Sequence, residues 1–219
     1  MILRVSYRHS KYGVVQIMFE REIKKEKETR QLPPGQKAID KVMRWGIDHP
    51  AIVDDTPKLD LTEWRLIVDG EVEKFLRLDW KALLELPYVV SVSDFHCVEG
   101  WSVLDRRWGG VLFKTLVSMV KPRAGVVSVF FECADGYSTS LSLEDLLGDE
   151  VVLAYQLNGE ALENSLGGPL RLVIPEKYGY KSAMWLTRIR FMKTKLLGYW
   201  EQRGYSDTAD VWKNDRFTM

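Results

Sequence analysis

YVVSVSDFHCVEGWS, residues 88–102, governs how the rest of the chain is read. Tyr88–Phe95 is dense in β-branched and aromatic side chains, which favour a pleated strand over a helix. Beyond it come a cysteine, a polar residue and Gly100, a composition that ends a strand in a turn. Cys97 is therefore delivered at or just past a strand end. Thiolate sulfur is a soft donor suited to a transition metal, and a glycine nearby leaves room for a bulky group. Taken alone, a cysteine after an apolar strand is most often an inert buried thiol. His96 points to the opposite face of a continuing strand, so it reads as a packing or supporting residue rather than a ligand.

Working outward, the neighbouring segments also read as short strands joined by small helices. WRLIV (64–68) and GEVEKFLRL (70–78) flank Asp69-Gly70 as a hairpin with a tight turn. Asp79 is placed to cap a short helix, WKALLEL, that Pro87 closes. After Gly110, VLFKTLVSMV spaces apolar residues like a helix packed on a sheet. VVSVFFECA and YSTSLSL flank Asp135-Gly136 as a second hairpin, and Ser142 with Asp145 forms a capping box for LEDLL. VVLAYQL and EAL flank Asn158-Gly159 as a third hairpin, and LRLVIP and WLTRIRFMK read as further strands. The expected fold class is α+β, dominated by β structure. The expected organisation is a charged N-terminal arm over 1–31 and a single domain over 32–219. The run EREIKKEKETR (20–30) reads as a solvated helix face or a mobile arm, Met18 offers a second start, and LPPGQ (32–36) is a stiff turn opening the folded part.

Composition narrows the function classes. The 219 residues carry 31 Lys plus Arg and 31 Asp plus Glu, so no net positive charge marks a nucleic-acid partner. The eight tryptophans suggest a dense core or an aromatic-lined pocket. Two cysteines exclude a disulfide framework, and the three histidines do not fall at zinc-ligand spacing with them. No apolar run reaches membrane-spanning length and no export signal is visible, so the expected location is the cytoplasm.

The order of motifs adds a family to this reading. DFHCVEGWS is followed by RRWGGV (106–111), DGYSTSLSLEDLL (135–147), LAYQLNGEAL (153–162), GGPLRLVIPEKYGYKSAMWL (167–186) and GYWEQRGY (198–205). This series resembles the molybdopterin-binding core of the sulfite oxidase family, over roughly residues 32–217. The resemblance implies a sulfite-oxidase-type fold, molybdenum or tungsten held by a pterin dithiolene, and Cys97 as the metal ligand. It implies pterin and phosphate contacts at Arg171, Lys181, Ser182, Ala183 and Met184, with Arg44 and Trp45 near an N-terminal segment that touches the pterin. Tyr137 matches an active-site tyrosine whose phenol donates to an oxo group or oxyanion, although a plain strand tyrosine looks the same. Trp108 matches a pocket tryptophan, or equally a core one. Arg203 lies near the position of a substrate-binding arginine.

Several positions depart from the family pattern. Leu166 stands where relatives carry His or Asn, and Met184 where many carry a second Lys. Cys133 falls at a cofactor-contacting threonine, with a buried structural thiol the commoner role. After the ligand, Val98-Glu99-Gly100-Trp101-Ser102 is close to the peptide methionine sulfoxide reductase catalytic subunits. A Glu and a Trp facing the pocket disfavour a small dianion. Arg106 and Arg107 would restore positive charge, unless they are ordinary surface arginines. No C-x-x-C-H haem attachment motif is present. The resemblance therefore implies two-electron oxygen-atom transfer on a small oxyanion or an S- or N-oxide, with a separate redox partner. The competing reading is a non-catalytic binding module that keeps the fold with a weakened cofactor site. A cysteine-nucleophile hydrolase is the poorest fit, since no histidine offers an obvious general base.

Overall fold

The computed structural model describes residues 2–9, 15–24 and 31–218, the first two stretches as backbone strands only. In chain order the strands are β1 (Ile2–His9), β2 (Val15–Lys24), β3 (Lys37–Ala38), β4 (Arg65–Gly70), β5 (Leu76–Asp79), β6 (Tyr88–His96), β7 (Trp101–Leu112), β8 (Ser128–Cys133), β9 (Ser138–Ser142), β10 (Val152–Leu157), β11 (Glu160–Ala161), β12 (Arg171–Val173) and β13 (Leu186–Met192). Three short helices interrupt them: α1 (Trp80–Leu84), α2 (Phe113–Val120) and α3 (Leu143–Leu146). The result is a strand-rich α+β architecture in two sheets. One runs β1-β2-β6-β7-β10-β11, with β12 also on β10 and β3 also on β7; the other runs β5-β4-β13-β8-β9.

Local chemistry explains most of the elements. Asp79 Oδ1 accepts from the Ala82 amide at 2.8 Å and starts α1. Ser142 Oγ accepts from the Asp145 amide at 3.0 Å and donates back to its carboxylate, starting α3. Asn158 and Gly159 both take positive φ, as a two-residue hairpin between β10 and β11 demands. The main core lies between the sheets, where α2 buries Phe113, Leu116 and Val120 against Phe131 and Phe191. A second apolar cluster, around Phe95, Trp101, Val103 and Trp108, backs the strand end that carries Cys97.

Three expectations need correction. β4 and β5 pair, but the link is wide, because Glu71 N bonds to Phe191 O and Glu73 N to Val120 O instead of closing a tight turn. The helix expected after Gly110 begins at Phe113; Val111 and Leu112 still belong to β7, paired with β10. Glu20–Lys24, read from charge as a helix face or arm, lies on β2 beside β6, while 25–30 falls outside the described residues.

Candidate active site

β6 ends at His96, and the chain then turns sharply through Cys97-Val98-Glu99-Gly100. Gly100 N donates to Cys97 O at 3.1 Å, and Gly100 takes φ +101, a conformation that glycine adopts without penalty. The other turn carbonyls are held by distant segments. Gln36 Nε2 reaches Cys97 O at 3.0 Å, Arg216 Nη1 reaches Val98 O at 2.7 Å, and Lys37 N reaches Gly100 O at 2.9 Å. His96 turns away from this turn, its Nδ1 2.7 Å from Ser102 Oγ, which donates to Gln36 Oε1.

Cys97 faces a cavity of about 150 Å³ whose walls are mainly aromatic and aliphatic. The thiol is buried, and burial pushes it up to about 12. Of the residues singled out from sequence, Trp45, Tyr137, Arg171, Ser182 and Met184 share this cavity. Arg171 is fully buried and no carboxylate among the described residues pairs with it. Its guanidinium donates to Leu166 O at 2.8 Å and Ser182 O at 3.3 Å and lies over the rings of Phe95 and Trp108. Burial lowers it to about 9. Gly179 lets this wall close on Phe95, since an added Cβ would sit 2.6 Å from Phe95 Cζ. The Tyr137 hydroxyl donates to Tyr180 O, and desolvation pushes its phenol well above the ordinary range.

Other singled-out residues lie elsewhere. Lys181 is fully buried but turned from the cavity onto Glu201 and Asp207. Arg44 pairs with Asp48 at 2.8 Å, and Arg203 stacks 3.6 Å over the exposed side of Tyr199. Arg106 caps Leu104 O from β7. Cys133, Leu166, Ala183 and Trp108 are buried behind the cavity wall, with Leu166 contributing its carbonyl to Arg171. Cys97 and Cys133 are both free thiols. Sequence reasoning passed over His49, Asp135, Tyr180, Trp185, Trp200 and Tyr205, which also line the cavity. Trp200 and Tyr205 fall in GYWEQRGY, and Tyr180 and Trp185 in GGPLRLVIPEKYGYKSAMWL, yet nothing in the spacing of these motifs marks which side chains turn inward. Glu99 lines the cavity, and its Oε2 lies 3.0 Å from His49 Nε2. Trp101 faces the apolar cluster instead.

A β-rich fold whose cavity is lined by a soft thiol and by a buried guanidinium without a carboxylate partner suits an anionic, sulfur-ligated cofactor. The chain belongs to the oxidoreductase molybdopterin-binding domain family, whose pattern matches residues 53–200, and to its sulfite oxidase branch. It is similar to the uncharacterized oxidoreductase YuiH of Bacillus subtilis, 42% identical over 73% of this chain and 80% of that protein. The protein-methionine-sulfoxide reductase catalytic subunit MsrP of Campylobacter jejuni is 29% identical over 66% of this chain. That of Burkholderia mallei is 34% identical over 59% of this chain. The matches cover 54% and 44% of those two MsrP proteins, so the chain spans about half their length. In fold it matches the sulfane dehydrogenase SoxCD of Paracoccus pantotrophus, with TM-score 0.59 and 24% identity, covering 64% of this chain and 41% of that one. The protein is thus a molybdopterin-dependent oxidoreductase.

The residues present fit that cofactor. Arg171 holds a desolvated positive charge with no protein anion to neutralise it, a costly arrangement unless a ligand brings the negative charge. Ser182 and the aromatic walls add a short polar contact and flat surfaces for a fused ring. Among the described residues no group of three or more His, Cys, Asp or Glu is placed to hold a metal ion, and no helix is long and apolar enough to cross a membrane.

Proposed function

We propose that the chain is a molybdenum enzyme that reduces a neutral S-oxide of the methionine sulfoxide type, taking electrons from a separate redox partner. The observation that carries this reading is Glu99, which puts a carboxylate on the cavity wall two residues from Cys97. A carboxylate there, even shared with His49 and partly screened by solvent, disfavours the sulfite dianion more than an uncharged sulfoxide. The mainly apolar walls suit the thioether product, since sulfur packs well against aromatic rings. The MsrP relatives are named for the same substrate class.

In this reading Cys97 is the protein's ligand to the metal, and Arg171 with Ser182 binds the anionic part of the pterin. The bound cofactor supplies the two-electron couple. The Tyr137 phenol, which donates to Tyr180 O, lies on the cavity wall and would turn its proton to the oxygen released as water. The overall change is S-oxide plus two protons plus two electrons, giving sulfide plus water. Protein from a host that makes molybdopterin should contain molybdenum, reduce methionine sulfoxide with a viologen donor, and fail to oxidise sulfite. Cys97→Ser should fold but lose the thiolate-to-metal absorption and the activity. Protein without molybdenum, tungsten or released pterin would instead point to the non-catalytic module. Sulfite oxidation at a comparable rate would remove the role given to Glu99.

A further inference from the structure

Reduction of an S-oxide consumes two protons, and oxidation of sulfite releases two, so either direction needs a proton path to a buried site. Tyr137 is a proton-bearing group on the cavity wall, half-buried between Tyr180, whose carbonyl its hydroxyl bonds, and the ring of Tyr199. Behind it lies a set of titratable groups that binding of the cofactor does not use. The Tyr137 phenol, whose hydroxyl donates to Tyr180 O, also feels the Thr139 hydroxyl, which lies two residues further on in β9. Thr139 Oγ1 donates to Glu201 Oε1 at 2.5 Å, and Lys181 Nζ lies 2.5 Å from the same oxygen. Lys181 Nζ lies 3.5 Å from Asp207 Oδ1, and Asp207 Oδ2 pairs with Lys195. Lys181 and Glu201 have no exposed side-chain surface, whereas Asp207 is 28% exposed and Lys195 35%.

We propose that Thr139, Glu201, Lys181 and Asp207 form a proton relay between the surface at Lys195 and Tyr137 in the cavity. This rests on the reading of Tyr137 as the group that faces the substrate oxygen. Stability alone does not account for the arrangement. A fully buried ion pair is about break-even against an apolar pair, and Glu201 Oε2 is left buried without a hydrogen-bond partner. Exchange of a proton does account for it. Away from water, the ammonium–carboxylate pair and the neutral amine–acid pair lie close in energy, because desolvation penalises the charged one. Burial lowers Lys181 while Glu201 and Asp207 oppose that fall, in keeping with a proton held loosely between them.

Each passage moves one proton and no electrons. The Tyr137 proton goes to the substrate oxygen, and the Thr139 hydroxyl proton replaces it on the phenol. Glu201, protonated by Lys181, restores Thr139. Lys181 is refilled through Asp207 from Lys195 and water. Two passages supply the two protons, and a reduced viologen supplies the two electrons in the assay. Tyr180, which lines the cavity, places its ring 5.7 Å from Lys181 Nζ.

The test is Thr139→Val in the loaded enzyme, with methionine sulfoxide and reduced benzyl viologen. It keeps the side-chain shape and the Lys181–Glu201 pair. The expected kcat falls roughly 10²-fold, the scale of a lost proton-transfer step, with KM little changed. The solvent deuterium isotope effect should rise, and added imidazole should restore part of the rate. Thr139→Ser, which keeps the hydroxyl, should recover most of it, and urea unfolding should show that both apoproteins fold, with Thr139→Val the less stable for its lost hydrogen bond to Glu201. An unchanged kcat and isotope effect in Thr139→Val would overturn the relay, as would equal losses in the Val and Ser variants. Tyr137→Phe separates the two levels. If it is fully active, the reading of the cavity fails; if it is impaired while Thr139→Val is not, the relay alone fails.

Discussion

Replacing Arg171 by methionine tests whether the buried guanidinium is a cofactor receptor or a structural strut. Burial brings it down to about 9, and a fall of that size is worth about 5 kcal/mol at about 1.4 kcal/mol per tenfold change. Against that stand two cation–π contacts at about 2 kcal/mol each, and carbonyls of Leu166 and Ser182 that lose their donor at about 1–3 kcal/mol each. The opposing contributions nearly cancel, so Arg171→Met apoprotein should unfold in urea within about 2 kcal/mol of the wild type. Cofactor retention should change far more. Breaking a desolvated ion pair costs about 3–5 kcal/mol, or roughly 10²- to 10³-fold in affinity, read from pterin fluorescence after gel filtration. The pH dependence has a defined sign. Below about 9 both folded and unfolded chains hold the proton, and the burial penalty is fully present. Above it the folded state releases a proton that the unfolded state keeps, so wild-type stability rises relative to Arg171→Met by about 1.4 kcal/mol per pH unit. Cys133, whose thiolate the Arg171 charge favours, also contributes to that difference, whereas thiols and phenols remote from Arg171 cancel. A variant far less stable than the wild type that retains cofactor normally would refute the receptor role.

In the apoprotein at pH 8, Cys97 should alkylate about 10³-fold more slowly than an ordinary thiol, because burial lifts it from 9.0 to about 12; rapid labelling, located by mass spectrometry, would contradict its burial. The same shift lowers stability as pH rises above 9, where the unfolded thiol ionises and the folded one does not. Glu201→Gln should cost about 3–5 kcal/mol in urea unfolding by leaving Lys181 uncompensated, while Glu201→Leu with Lys181→Met should recover more than half. Simple additivity in that cycle would show that the two side chains do not depend on each other. Gly110→Ala should cost about 3 kcal/mol or prevent folding, since the new Cβ would meet Leu153 O at 2.0 Å across the β7–β10 pair; a stable variant would mean that this pairing is loose.

The parts of the fold legible in the sequence are those whose cause is local. Asp79, Ser142 and Asn158-Gly159 act on backbone within three residues, and the β-branched run before Cys97 needs no partner to read as a strand. β7 was not legible as one long strand, because Asp105-Arg106-Arg107 breaks its apolar alternation and only its pairing with β6 and β10 keeps it extended. The link after Gly70 is wide because Phe191 and Val120, far along the chain, claim its amides. The same division holds around the cavity. Cys97, Arg171 and Ser182 follow strands or turns whose direction the pattern fixes. Long side chains do not: Lys181 goes to Glu201, Arg44 to Asp48 and Arg203 to Tyr199, and each choice depends on a partner that spacing does not reveal.

The turn bearing Cys97 is fastened on three sides, by Gln36, Lys37 and Arg216. Arg216 also donates to Gly35 O, across 181 residues of sequence. Such distant contacts close late, after the sheets have brought those segments together. A nascent or damaged chain lacking either segment would display the thiol on a loose loop, with nothing to hold its direction. With Cys97 as the proposed ligand, cofactor loading would inspect the finished molecule, since only a chain folded through to Arg216 would present the thiol in a fixed direction.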